Sequence, residues 1–152
     1  MYQLGERACL TDWSEFENTC YFVSTVDKPF SDSLTTCEDF GGSLVSIHSQ
    51  SEQDFVTGII PSSGSWIGLN DIRNESYFLW TDGTEVNFTA WSPGEPNDYG
   101  DGEDCTQLAD FDEDDIWMWN DYPCHGVLPL ICKQAKHIDL VDIQRLFVSI
   151  TR

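Results

Sequence analysis

Residues 91–121 read WSPGEPNDYGDGEDCTQLADFDEDDIWMWND, and the rest of the chain is best understood outward from them. Eleven of the chain's 27 acidic residues fall between Glu95 and Asp121, alongside three tryptophans and a proline, Pro96, set between two potential metal ligands. A run this acidic repels itself and stays unfolded unless something positive sits in it. The chain is nevertheless 40% hydrophobic and 13% aromatic, enough apolar material to fill an interior. The stretch therefore reads as a folded, cation-seeking loop rather than a disordered acidic tract.

With 152 residues the chain is one domain of ordinary size. Its formal charge of −20 excludes nucleic acid and anionic membrane surfaces as partners, since both need basic patches. It suits a divalent cation or a basic partner; outside the central stretch, most carboxylates read as solvated surface charge. Six cysteines, an even number with no C-x-x-C pair, point to an oxidising, extracellular setting, and they allow 15 pairings. No apolar run approaches the roughly 20 residues of a membrane span, so no direct membrane insertion is expected. Residues 1–10 lack the apolar core of a secretory leader, which implies a leader already removed or a chain cut from something longer. Asn74-Glu75-Ser76 and Asn87-Phe88-Thr89 match the N-glycosylation sequon.

Local patterns place the elements. Cys9 to Cys20 suggests a stapled hairpin feeding an edge strand at Tyr21-Phe22-Val23. A first helix is expected from an N-cap at Ser31, with Leu34, Cys37 and Phe40 near one face and Gly41-Gly42 as its end. Ser43 to Ile47 supplies core residues. Ser49 with Glu52 forms a capping box for a second helix, whose stripe of Phe55, Val56, Ile59 and Ile60 stops at Pro61. Trp66-Ile67-Gly68-Leu69 reads as a buried strand, and Tyr77 to Trp80 as a strand entering a tight turn at Thr81-Asp82-Gly83-Thr84. Between Val86 and Glu103 there is no periodicity, only turn residues and aromatics, so a long ordered loop is expected. Cys105 to Ala109, Ile116 to Asn120 and Leu128 to Cys132 read as three further strands. The segment from His137 to Arg152 settles into neither helical nor strand period.

Two helices, the W-I-G-L strand, Glu95-Pro96-Asn97, Glu103-Asp104-Cys105 and Trp119-Asn120-Asp121 ahead of Cys124 together resemble a C-type lectin domain, most closely its calcium-dependent, mannose-binding subgroup. The resemblance covers residues 9–133, leaving residues 1–8 as an N-terminal extension and residues 134–152 as a tail of unknown role. It implies an α+β fold with two helices, small antiparallel sheets, a long calcium-binding loop and the disulfides Cys9–Cys20, Cys37–Cys132 and Cys105–Cys124. It also implies a principal Ca²⁺ and sugar site at Glu95, Asn97, Glu103, Asn120 and Asp121. An auxiliary calcium site falls on Asp71, Glu75, Asp98, Glu103 and Asp104. The bond before Pro96 is expected to be cis, which would aim both flanking carbonyls at one ion.

This set suits calcium, which takes six to eight oxygen ligands. Two vicinal sugar hydroxyls would complete its shell, giving their protons to Glu95 and Glu103 and accepting from the amides of Asn97 and Asn120. In the family, Glu before and Asn after the proline goes with mannose, N-acetylglucosamine or fucose; the galactose-type Gln-Pro-Asp order is absent. Tyr99 either touches the sugar or packs locally.

Asp110, Asp112 and Asp114 alternate like an EF-hand loop, but Asp115 stands where that loop needs glycine, so residues 110–115 read as a solvated acidic insertion. With the cysteines assigned to bridges and His48, His125 and His137 in no triad-like or metal-like spacing, no enzyme is expected. Trp66, Trp80, Trp117 and Trp119 read as core. The leading function is a secreted lectin, or a receptor ectodomain, that binds mannose-type glycans through Ca²⁺, with oligomerisation for avidity. The alternatives are an acidic matrix protein associated with mineral and a protein-binding ectodomain.

Overall fold

The computed structural model describes residues 8–61 and 64–136. The tail from His137 onward, and residues 1–7 of the N-terminal extension, lie outside the described residues. In chain order the elements are β1 (Ser14–Phe16), β2 (Thr19–Lys28), α1 (Phe30–Asp39), β3 (Ser43–Leu44), α2 (Gln50–Ile59), β4 (Gly64–Asn70), β5 (Leu79–Trp80), β6 (Cys105–Asp110), β7 (Trp117–Tyr122) and β8 (Leu128–Ala135).

The strands form one sheet in the order β1-β2-β8-β4-β6-β7, with β3 on β8 and β5 on β4. The sequence leads one to expect separate small antiparallel sheets. Among the named strands one pairing is parallel, Trp66 beside Leu130, and the others are antiparallel; outside them, Trp91 bridges Trp119 in parallel. The β1–β2 hairpin turns on Glu17 and Asn18, both with positive φ (46° and 62°), the handedness that a two-residue hairpin loop requires.

Helix α1 starts two residues earlier than its composition suggests. Pro29, not Ser31, is the N-cap, and no side chain caps the helix; the Pro29 carbonyl accepts the Ser33 N–H (3.0 Å) and the Ser33 hydroxyl (3.0 Å). Starting there sends Phe30 into the core against Trp66, with ring centroids 5.5 Å apart. The other end is a Schellman motif: Gly41 N–H bonds Glu38 O and Gly42 N–H bonds Cys37 O, with Gly41 at φ 80°.

At α2 the Ser49 hydroxyl accepts the Glu52 N–H (3.1 Å), as a capping box requires. The reciprocal half differs, because the Glu52 carboxylate reaches the N–H of His48, one residue before the cap. Glu52 is drawn there by a buried network in which it also accepts from the Tyr21 hydroxyl and the Lys133 ammonium.

Trp66, Trp119, Phe30, Leu44, Ile47, Ile67, Leu69, Leu108, Leu130 and Ile131 are fully buried. Gly68 lets β4 pass this core closely, since a Cβ there would lie 2.6 Å from Thr81 Oγ1 and 2.9 Å from the Leu44 carbonyl. The expected strand from Tyr77 shrinks to Leu79–Trp80, and Tyr77 is exposed. Trp117, expected in the core, is only half-buried.

Disulfides join Cys9 to Cys20, Cys37 to Cys132 and Cys105 to Cys124. The second closes a loop of sequence separation 95, for which chain-entropy arguments give about 4–5 kcal/mol. Replacing both Cys37 and Cys132 by Ala is expected to lower the unfolding free energy by about that amount in urea titrations at fixed calcium. A loss below about 1 kcal/mol would show that strand pairing, not the cross-link, restrains β8.

Candidate functional site

Strand β7 alternates its side chains, and its buried positions are Trp119 and Asp121. Trp119 fastens the long loop to the sheet. Its N–H donates to Ala90 O (2.8 Å) and its carbonyl accepts from Ser92 N–H (2.8 Å). Its ring meets Trp80, Phe88 and Trp91 edge-to-face, and its indole N–H donates to Gln53 Oε1 of α2 (2.9 Å).

Two residues on, Asp121 is 1% exposed and organises the turn that follows Pro96. Its Oδ1 accepts the Asn97 N–H (3.1 Å) and its Oδ2 accepts the Asp98 N–H (2.7 Å). The Glu95–Pro96 bond is cis. Beyond it, the Asn97 amide donates to Glu95 Oε1 (2.9 Å), and the Tyr99 N–H is shared by Asn97 Oδ1 (2.9 Å) and Glu103 Oε2 (3.0 Å). Asp98, at φ 48°, accepts the Glu103 N–H (2.9 Å) and closes the turn back on itself.

Four of the five residues expected at the principal site, Glu95, Asn97, Glu103 and Asp121, thus form one hydrogen-bonded web. The fifth, Asn120, stands beside Asp121 on β7 opposite Gln107, and its side chain takes no part in that web. Tyr99 is 79% exposed, so its ring does not pack locally.

Of the five residues expected at the auxiliary site, three gather around Asp71, while Asp98 and Glu103 are hydrogen-bonded in the web just described. Asp71, Glu75 and Asp104 bring ligand oxygens within 4.8 Å of one another. Asp71 is 4% exposed; its Oδ2 accepts the Ser76 N–H (2.8 Å). Backbone pairing from Asp71 N–H to Asp104 O (3.0 Å) ties the end of β4 to the start of β6.

Four of these carboxyls, Glu95, Glu103, Asp71 and Glu75, have raised pKa values. Glu95 is pushed up to about 7 by burial first, then by the adjoining Asp121 carboxylate and the charge of Glu103. Glu103 is raised by burial and by Asp121 and Asp98, against a lowering hydrogen bond from Tyr99. Burial, with the Asp104 charge, raises Asp71. The Asp71 charge raises Glu75, followed by burial and by Asp98.

Among the described residues the ion pairs are Lys133–Glu52 and Lys136–Glu15, and neither touches this cluster. Glu95 Oε2 and Asp71 Oδ1 are buried without a hydrogen-bond partner among the described residues, one in each half of the cluster. Anionic oxygens gathered this closely, with lone pairs unspent, fit a hard divalent cation.

Sequence reasoning missed a second polar network. His48 is half-buried rather than a plain surface residue; its ring nitrogens meet Asn87 Oδ1 (2.9 Å), Ser46 Oγ (3.2 Å) and Thr84 Oγ1 (3.0 Å). It supports the loop's entry rather than the acidic web. No motif marks it, because its partners lie 36 and 39 residues away in sequence.

The fold and this cluster define a binding domain built on a sheet-anchored acidic loop. The chain belongs to the C-type lectin family: residues 26–134 match the Lectin C-type domain. Membership makes it a binding protein and not an enzyme.

It is 40% identical over 133 residues to the low affinity immunoglobulin epsilon Fc receptor of Mus musculus, covering 87% of this chain but 39% of the receptor. It is 36% identical over 143 residues to echinoidin of Heliocidaris crassispina, covering 82% of this chain and 95% of echinoidin. Among solved structures it resembles the cow carbohydrate-recognition domain of CD23, crystallised with a GlcNAc2Man3 oligosaccharide. There the TM-score is 0.79 at 36% identity, covering 86% of this chain and 98% of that one. A calcium-independent type II antifreeze protein is also similar, at TM-score 0.78 and 30% identity, covering 86% and 96%. No helix among the described residues is long and apolar enough to cross a membrane.

The raised pKa values set a sign. A carboxyl whose folded pKa lies above its unfolded value favours the native state while protonated. For Glu95 that stability is fully present below about pH 4.5 and lost as the pH rises through about 7. Calcium-stripped protein is therefore expected to melt at a lower temperature at pH 8 than at pH 5.5, and Glu95→Gln should flatten the slope. Saturating calcium should reverse the order, because the cation needs the deprotonated set. Differential scanning calorimetry at the two pH values tests this; a stripped protein more stable at pH 8 would contradict it.

Proposed function

We propose that the chain is a calcium-dependent lectin domain, residues 9–133, that binds mannose, N-acetylglucosamine or fucose through vicinal hydroxyls. The observation carrying this reading is the web of Glu95, Asn97, Glu103 and Asp121 around a cis Pro96, which holds a partnerless Glu95 oxygen inside a carboxylate cluster. In this reading Glu95, Asn97, Glu103, Asn120 and Asp121 hold the principal ion, and Asp71, Glu75, Asp98, Glu103 and Asp104 hold the auxiliary one.

This chain's own residues do the rest. Asp121 fixes the turn through two backbone N–H groups, so Asn97 and Glu95 are presented as a unit. Deprotonated Glu95 and Glu103 accept hydroxyl protons, and the Asn97 and Asn120 amides donate to hydroxyl oxygens. The Asn97 amide, which here donates to Glu95 Oε1, would serve as a donor to a sugar hydroxyl oxygen. The exposed Tyr99 ring stands beside this position, free to lie along a sugar face.

One shallow site of this kind gains useful strength by clustering, so the natural setting is an extracellular one in which several copies face a glycan-bearing surface. That setting is a secreted protein or a receptor ectodomain. The CD23 domain solved with an oligosaccharide supports the sugar assignment. The calcium-independent antifreeze protein shows that this fold also serves without the ion. The clustered acidic residues favour calcium here.

Retention on mannose-agarose in calcium, lost in chelator, is expected. Exchanging Glu95→Gln together with Asn97→Asp should shift preference toward galactose on a glycan array by about tenfold, the worth of one or two rearranged hydrogen bonds. Retention that survives chelator, or an unchanged sugar order in the double variant, would remove the mechanism.

A further inference from the structure

The acidic insertion takes no part in the sugar site. Strand β6 runs from Cys105, beside Asp104, to Asp110, where the insertion begins. Six strand residues at about 3.4 Å each put roughly 17–20 Å between the two. At the insertion end lies a groove of about 480 Å³, within the size range of ligand-binding clefts. It is bounded by the end of β2 (Asp27), the start of β4 (Gly64), β6 (Gln107, Ala109, Asp110), the insertion (Phe111, Glu113) and the start of β8 (Leu128, Pro129).

The groove combines two surfaces. One is apolar: Ala109, Phe111, Leu128 and Pro129, with Phe111 46% exposed. Val26, Ile116 and Val127, adjoining the groove in sequence, are 61%, 55% and 56% exposed. The other is anionic, with carboxylates from two separate parts of the chain, Asp27 on β2 and Asp110 with Glu113 at the insertion. Asp110 spends one lone pair on each oxygen, accepting the Asp114 N–H (3.2 Å) and the Asp115 N–H (3.1 Å), and this holds the insertion in a fixed turn. Asp27 and Glu113 have no cationic partner among the described residues. The neighbouring cation, Lys28, is turned toward α1, where its ammonium donates to Thr36 Oγ1 (2.8 Å).

We propose that this groove docks an arginine-bearing basic segment of a partner protein. Arginine suits both surfaces: its stem covers Leu128 and Pro129, its planar head stacks on Phe111, and its fork of donors meets Asp27 and Glu113. A chain of net charge −20 draws such a segment in over distance and repels acidic ones. Because the groove and the sugar loop lie at opposite ends of β6, the domain engages a glycan and this partner at once.

The test uses the full chain and the probe peptide acetyl-Gly-Arg-Phe-Arg-Gly-amide carrying a fluorophore, followed by anisotropy in chelator at 50 mM salt. Two charge-matched double variants are compared: Asp27→Asn with Glu113→Gln in the groove, and Glu38→Gln with Asp54→Asn elsewhere on the surface. The expected result is an affinity loss of tenfold or more for the groove pair and for Phe111→Ser, and less than twofold for the remote pair. All these positions are solvent-accessible, and an unchanged far-UV circular dichroism spectrum and melting temperature verify the fold of each variant. Equal weakening by the two pairs would reduce the effect to general charge attraction and overturn the proposal, as would unchanged binding in the groove variants.

Discussion

The packing of Trp119 is the constraint on which the rest depends. A loop of some twenty residues whose backbone joins the sheet through a single bridge, Trp91 to Trp119, must be held largely by side chains. Trp119 does this through both faces of its peptide backbone and through three aromatic rings, and its indole N–H links it to α2. The same strand face presents Asp121 two residues later, so the residue that anchors the loop and the residue that orders its tip are set by one alternation. Geometry at the tip is therefore inherited from the core, and the tip itself can remain rich in solvent-facing carboxylates.

Those carboxylates oppose folding on their own. Four of them have pKa values raised by burial and by one another. The fold concentrates this repulsion instead of dispersing it, with partly buried oxygens that an ordinary acidic surface lacks. Elsewhere the chain follows the ordinary rule. The buried carboxylate of Glu52 is met by Lys133 and the Tyr21 hydroxyl, and Asp82 is brought below its usual range by hydrogen bonds from Ser46 and Thr84 that outweigh its burial.

How much of this was legible in the sequence follows from how local each signal is. The α2 cap, the glycine-ended α1 and the W-I-G-L strand are written in contiguous residues, and the structure shows them within a residue or two. The cysteine pairing was not readable from spacing; only the family resemblance selected one of 15 possibilities. The start of α1 was misjudged because Ser31 is a good cap by composition, while the core's demand for Phe30 moved the boundary to Pro29. Glu95, Asn97, Glu103 and Asp121, which meet in one web, were expected together from their order along the chain. What could not be read were contacts with no local mark: Asp121 gripping two backbone N–H groups more than 20 residues earlier, or His48 joining Asn87 and Thr84.

The disulfides also settle how the domain carries tension. Thr19 on β2 pairs with Ala135 on β8, so the chain enters and leaves at neighbouring points. A pull between Cys9 and Lys136 crosses the Cys9–Cys20 bridge, follows the chain to Cys37, and crosses to Cys132. Residues 38–131 lie wholly outside that covalent route, and every residue of the acidic web is among them. Such a pull therefore loads β2 and α1, while β1 and the acidic loop stay slack, the loop's shape independent of how hard the domain is pulled.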